Sequence, residues 1–152
     1  LILSEVVTKE GSKWVLYSKD GKKVLGRFDS EAAAKKHEGE VQYFKKNGAE
    51  GAVTTDARGV LLVEDYNISP STPYEAMQTK MIAMCQSLTD ERLHEIRDEF
   101  VKARTKLYMQ FKDLGEDRYV LPAGRQILAD IYYYDRVVSA LECEMACRLL
   151  TL

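Results

Sequence analysis

The 152-residue chain predicts an α+β fold: a small N-terminal antiparallel sheet with one packed helix, then a helical bundle built on a long antiparallel helical hairpin. Three observations predict it. Residues 13–28, KWVLYSKDGKKVLGRF, alternate apolar and cationic positions around Asp20-Gly21, which is a hairpin pattern. From residue 73 onward the apolar residues recur at three and four, the period of amphipathic helices. Between the two regimes the composition shifts to Gly, Ala, Thr, Ser and Pro. The organisation read from this is a sheet-plus-helix module at 1–48, a hairpin and linker at 49–72, and a helical bundle at 73–152.

Two registers are open for the first hairpin. A two-residue I′ turn at Asp20-Gly21 pairs Tyr17 with Val24 and sets Trp14 beside Arg27. A type I turn with Gly21 as a G1 bulge pairs Leu16 with Val24 and Trp14 with Gly26. The second is preferred, because it gathers Trp14, Leu16, Val24 and Phe28 on one face and lets Gly26 make room for the indole. The opposite face then carries Lys13, Val15, Tyr17, Lys23, Leu25 and Arg27. The opening LILSEVVTK supplies a further strand.

After Phe28 the period changes. Ser30 suits an N-cap and Glu31 a first turn. Ala34, His37, Val41 and Phe44 then form a helical stripe that ends near Asn47-Gly48 and covers the Trp14 face. His37 lies on that stripe and reads as a core or edge histidine. Further on, Val53-Thr54-Thr55 and Val60-Leu61-Leu62-Val63 flank Asp56-Ala57-Arg58-Gly59 as a second hairpin. Asn67 to Pro73 reads as a linker, and Thr72-Pro73-Tyr74-Glu75 as a capping box with proline at the first helical position.

Tyr74, Met77, Met81, Met84 or Cys85, and Leu88 mark the next helix. Leu93, Ile96, Phe100, Ala103, Leu107, Phe111 and Leu114 mark another, out of phase with it. Thr89-Asp90 at the break indicates a fresh start or a stutter, and Gly115 a stop. Pro122 opens the last helix, whose seam is Ile127, Ile131, Tyr134, Val138, Leu141, Met145 and Leu149. Leu128, Tyr132, Val137 and Leu150 widen that stripe. Each buried large apolar side chain contributes about 1.5–3 kcal/mol. Leaving four or five of them wet therefore forgoes on the order of 5–10 kcal/mol, a whole domain's net stability. The expectation is a bundle plus a homo-oligomer or partner interface at Tyr132, Tyr133, Val137 and Leu150. The alternative is burial wholly within one chain. Of the triplet Tyr132-Tyr133-Tyr134, which points in nearly three directions, at least one ring is expected at an interface.

With 45% hydrophobic and 30% charged residues, the composition is that of a globular chain. Apolar runs are only a few residues long, so no membrane span is expected, and no secretory leader is legible. The opening Leu-Ile-Leu lacks a Met, as in a trimmed product or a piece of a longer one. Net charge is −2, but residues 1–48 hold ten Lys/Arg against seven Asp/Glu, and the remainder twelve against seventeen. That asymmetry suits docking of the two halves as well as attraction of a polyanion. Cys85, Cys143 and Cys147 are read as small packed apolar residues in a reducing compartment, with no metal site, since zinc would need two further ligands. No phosphate loop, dinucleotide fingerprint, zincin, hydrolase-elbow or EF-hand spacing occurs. Glu91, Glu95, Asp98 and Glu99 suit a helix N-terminus with Arg92, Arg97 and Lys102 as partners. Met77, Met81 and Met84 suit core filling ahead of an adaptable binding stripe. No cofactor is expected.

Residues 13–46 resemble a short module of tailed-bacteriophage gene products, with the pattern K-W-x-[VL]-Y-S-x-D-G-x-K-x-L-G-x-[FH]-x-[ST]-x-x-x-A and a helix ending near Q-Y-F-K. The matching positions are Lys13, Trp14, Tyr17, Ser18, Asp20, Gly21, Leu25, Gly26, Phe28, Ser30 and Ala34. The resemblance covers roughly a quarter of the chain and implies a viral source, since such modules accompany varied phage proteins. A fainter similarity is to the arm-binding domains of tyrosine recombinases and to AP2-type domains, whose sheets enter the major groove. Here Asp20, Asp29, Glu31, Glu38 and Glu40 interrupt the cations that phosphate contact needs. The expected function is non-enzymatic: a phage protein that binds another protein, as a virion or assembly component or a host-directed adaptor, in the host cytoplasm or the particle. The alternative is nucleic-acid binding through Lys13, Tyr17, Lys23 and Arg27.

Overall fold

Period-two alternation in the first thirty residues builds the expected sheet. The computed structural model describes residues 5–18, 24–46 and 48–151. Strands β1 (Glu5–Glu10), β2 (Lys13–Ser18) and β3 (Val24–Phe28) pair antiparallel in that order. The Asp20-Gly21 turn and Lys23 lie outside the described residues. Neither anticipated register holds throughout. Trp14 pairs with Phe28, Val15 with Arg27 and Leu16 with Gly26, then an irregularity between Leu16 and Tyr17 sets Tyr17 opposite Val24. Trp14, Leu16 and Phe28 still share a face. Val24 pairs with Tyr17 and not with Leu16. At Gly26 an added Cβ would stand 2.9 Å from the Phe28 ring. The glycine makes room for Phe28, and not for the indole.

Helix α1 (Glu31–Lys46) begins as anticipated, with Ser30 Oγ accepting from the Ala33 amide at 3.1 Å. Ala34, His37 and Val41 are buried, and the His37 ring lies 5.5 Å from that of Phe28. Val15 is also buried, although alternation assigned it to the open face.

The middle segment is a wall of the core and not a tether. Strands β4 (Val53–Thr55) and β5 (Leu61–Val63) pair antiparallel. Asp56 Oδ1 closes their turn by accepting from the amides of Arg58 and Val60 at 2.8 and 2.9 Å. A 3₁₀ turn at Glu64–Tyr66 follows, and Asn67 in the left-handed region (φ 55°) folds the chain back so that Ile68 bridges Val63. Val60, Val63, Tyr66 and Ile68 are all buried with the bundle residues. The anticipated linker is therefore packed: Lys80 donates to the Asn67 carbonyl, and Thr72 Oγ1 accepts from the Ser69 amide at 3.1 Å. That bond turns Thr72 backward. No capping box forms, and Pro73 becomes the N-cap, its carbonyl accepting from Met77 N at 2.8 Å.

Helices α2 (Tyr74–Ser87), α3 (Asp90–Asp113) and α4 (Pro122–Leu150) complete the fold, with a 3₁₀ turn at Glu116–Tyr119. α3 and α4 pack as the hairpin, and α2 lies against both α4 and α1. Thr89 starts α3 afresh, its hydroxyl accepting from Arg92 N at 3.2 Å. Arg92 also donates to the Glu50 and Gly51 carbonyls at 2.8 and 2.9 Å. Gly51 has φ +68°, and an added Cβ would stand 2.7 Å from Ile96. The Phe44 ring of α1 meets Tyr66 at 4.3 Å, so all three sequence segments share packing.

A close backbone approach sets the start of α4. A Cβ on Gly124 would lie 1.7 Å from the Arg118 carbonyl oxygen. Gly124→Ala is expected to lower stability by about 2–4 kcal/mol through forced backbone displacement. Gly39→Ala, with open space around it inside α1, should add about 0.5–1 kcal/mol. Urea denaturation of both variants checks the contrast.

Candidate protein interface

Successive residues on a helix point about 100° apart, and α4 uses this to divide its tyrosine triplet. Tyr133 and Tyr134 are buried, whereas Tyr132 is 58% exposed. The two buried rings reach one residue of β5: Tyr133 donates its hydroxyl to the Leu61 carbonyl at 2.8 Å, and the Leu61 amide donates to Tyr134 Oη at 2.9 Å. Beside them Arg58 donates twice to buried Asp130, at 2.8 and 3.1 Å. Burial pushes the Tyr133 and Tyr134 phenols above the usual tyrosine range.

Of the four positions expected at an interface, Tyr133 and Val137 are therefore inside the fold. The reason is the second hairpin, present as expected, which packs on that flank of α4. Most of the apolar excess on α4 is absorbed within one chain in this way. Tyr132 and Leu150 remain outside, on the same outer face but about 27 Å apart along the helix.

The exposed apolar surface gathers elsewhere, at the distal end of the α3–α4 hairpin. Tyr119, Val120 and Leu121 are 60%, 63% and 38% exposed, and Tyr108 and Met109 lie open one to two turns before the end of α3. Three consecutive apolar residues in water are rare without a contact role. Sequence reasoning passed over them as a short connection; three apolar residues between two helices were the available signal. Glu116 and Asp117 precede them, exposed. Arg118 lies over the Tyr119 ring at 5.2 Å and donates to the Gly115 carbonyl.

A cavity of about 380 Å³ opens between α2 and α4. Buried Met77 and Met81 line it with Ile82 and Ala140, and Tyr74, Gln78, Asp135, Arg136 and Ser139 form the rim. Asp135 is paired with Arg104 at 2.8 Å. Arg136 lies 5.5 Å over the exposed Tyr74 ring, with no carboxylate partner among the described residues. All three methionines singled out in the sequence fill the core, and Met77 and Met81 also line this groove.

The N-terminal face is less cationic than its sequence. Lys13 pairs with Asp29, Tyr17 donates to Glu10 at 2.6 Å, and Arg27 is exposed opposite Val15. Cys85 is buried, but Cys143 is exposed and Cys147 half-buried, so two of the three cysteines depart from the packed reading. Among the described residues no group of three or more His, Cys, Asp or Glu side chains could hold a metal ion, and no helix is long and apolar enough to cross a membrane. Comparison with known protein families, with curated proteins and with solved structures finds no match.

The paired tyrosines give a pH signature. The unfolded chain releases phenol protons near the ordinary value of 10.0, and the folded chain holds them to higher pH. The contribution of these two phenols to stability is accordingly full below pH 10 and is lost as pH rises beyond it. Tyr133→Phe should cost about 1–2 kcal/mol at neutral pH by stranding the Leu61 carbonyl. It should also make the alkaline decline shallower. Melting temperature measured from pH 7 to pH 12 tests both effects.

Proposed function

We propose that this chain is a non-enzymatic bacteriophage protein that works by binding another protein, as a virion or assembly component or as an adaptor acting on a host machine. The observation that carries the reading is the exposed run Tyr119-Val120-Leu121, joined by Tyr108, Met109 and Tyr132 on the distal half of one helical hairpin. Apolar residues concentrated in one exposed region mark contact sites more often than accident. The phage source rests on the resemblance of residues 13–46. The pairing of Lys13 and Tyr17 with acids favours protein contact over the nucleic-acid alternative.

Lysine-directed cross-linking in infected cells tests the proposal, because Lys106 and Lys112 are exposed near the tip. The expected result is a cross-link to one defined phage or host protein. Replacing Tyr108 and Met109 by serine should abolish it while leaving the melting temperature within a few degrees of the parent. The proposal fails if neither cells nor purified particles yield a cross-linked protein other than the chain itself.

A further inference from the structure

Two features of the distal hairpin complement each other. One is a knob: Tyr119, Val120 and Leu121, exposed and preceded by the acids Glu116 and Asp117. The other is a concavity: the methionine-lined groove of about 380 Å³ between α2 and α4, with Arg136 on its rim. Arg104 neutralises Asp135, so Arg136 sets the sign of the groove mouth. An apolar knob whose two acids outnumber its one cation, Arg118, meets an apolar groove with a cation. Within one chain the two cannot meet, since Leu121 and the groove residues around Val138 are separated by about 25 Å of continuous helix.

We propose that two copies of the chain close on each other about a two-fold axis crossing α4 near Ala129, the knob of each seated in the groove of the other. Ala129 is exposed and lies midway between knob and groove, and its small side chain lets the two α4 helices approach. Antiparallel crossing at the midpoint presents both knobs to both grooves at once. The interface is isologous and closed, so it stops at two copies and does not propagate. Glu116 and Asp117 of each copy then face Arg136 of the other. This inference rests on the protein-contact reading and names the partner for part of that surface.

Sedimentation velocity of the full chain up to about 100 µM tests it. A dimer is expected. Arg136→Glu should weaken it by at least roughly tenfold, as should Glu116→Lys with Asp117→Lys. Combining the three substitutions should recover most of the parent affinity, which loss of structure alone would not do. As an independent readout, Ala129→Cys in a Cys143→Ser background should form a disulfide-linked dimer under mild oxidation. A monomeric parent overturns the inference, as do single-side reversals that dimerise like the parent or a combination that does not recover. A monomer that instead gains thermal stability with decanoate, a carboxylate amphiphile filling the groove, overturns it too. The two proposals fail separately. A monomer that still cross-links to another protein in cells removes the dimer alone, and a dimer with no other partner removes the wider reading alone.

Discussion

The grip of α4 on Leu61 is the constraint from which the rest of the architecture follows. A strand at a sheet edge must satisfy its outward amide and carbonyl or lose the cost of burying them. Here the two groups of one residue are met by two adjacent tyrosines, one donating and one accepting. Adjacent helical side chains can serve one residue only if the strand lies across the helix, so the bonds fix where the hairpin docks. Arg58 on Asp130 then locks its turn from the side. With that flank covered, the outward direction of α4 has no freedom left. It is the line through Tyr132, Arg136 and Ser139.

The opposite end of α4 is held as firmly. Arg148 donates to the Cys85 and Leu88 carbonyls at 2.7 Å each, where α2 ends, and pairs with Asp90 where α3 begins. Buried Glu144 accepts from the same guanidinium and from Gln86. One side chain therefore satisfies the otherwise open carbonyls of a helix end and joins three helices. Between these two anchorages α4 is rigid, and what lies beyond the first of them, the 3₁₀ turn at the hairpin tip, is displayed by it.

Local patterns were legible wherever the local signal and the tertiary contact agreed. The Ser30 and Thr89 caps, the α1 stripe through Ala34, His37 and Val41, and the α3–α4 hairpin follow from spacing alone. The failures share a cause, which is a contact that one-dimensional periodicity does not name. Thr72 caps nothing because the Ser69 amide claims it. The hairpin register shifts between Leu16 and Tyr17, which alternation alone does not mark. Tyr133 and Val137 seemed surplus because a stripe counts apolar residues on one helix and cannot count the walls around it. The polar-looking segment 49–72 supplied the missing wall through Val60, Val63, Tyr66 and Ile68. Of the tyrosine triplet only Tyr132 is exposed, and the apolar run at 119–121 was hidden by its position in a short connection.

The distribution of satisfied and unsatisfied surface bears on which class of function suits the chain. Arg58, Arg92, Arg97, Arg104 and Arg148 all have carboxylate partners, and most of those pairs join different elements. Such pairs position helices against one another and against the second hairpin. Arg136 departs from that pattern, and it stands at the rim of the methionine-lined groove. The apolar side chains are buried by α1, the second hairpin and α2 over most of the core, with exposed ones at Tyr43, Tyr74, Leu149 and Leu150 and a consecutive exposed run at the distal tip. Complete burial of Tyr119, Val120 and Leu121 would contribute about 1.5–3 kcal/mol each, a sizeable part of the net stability of a domain this size. A fold that encloses its core this thoroughly gains nothing for its own stability from holding those three residues in water at the end of a braced helical hairpin. Their stabilisation is available only on contact with another surface, and the rigidity of α4 ensures that little conformational entropy is lost when contact is made.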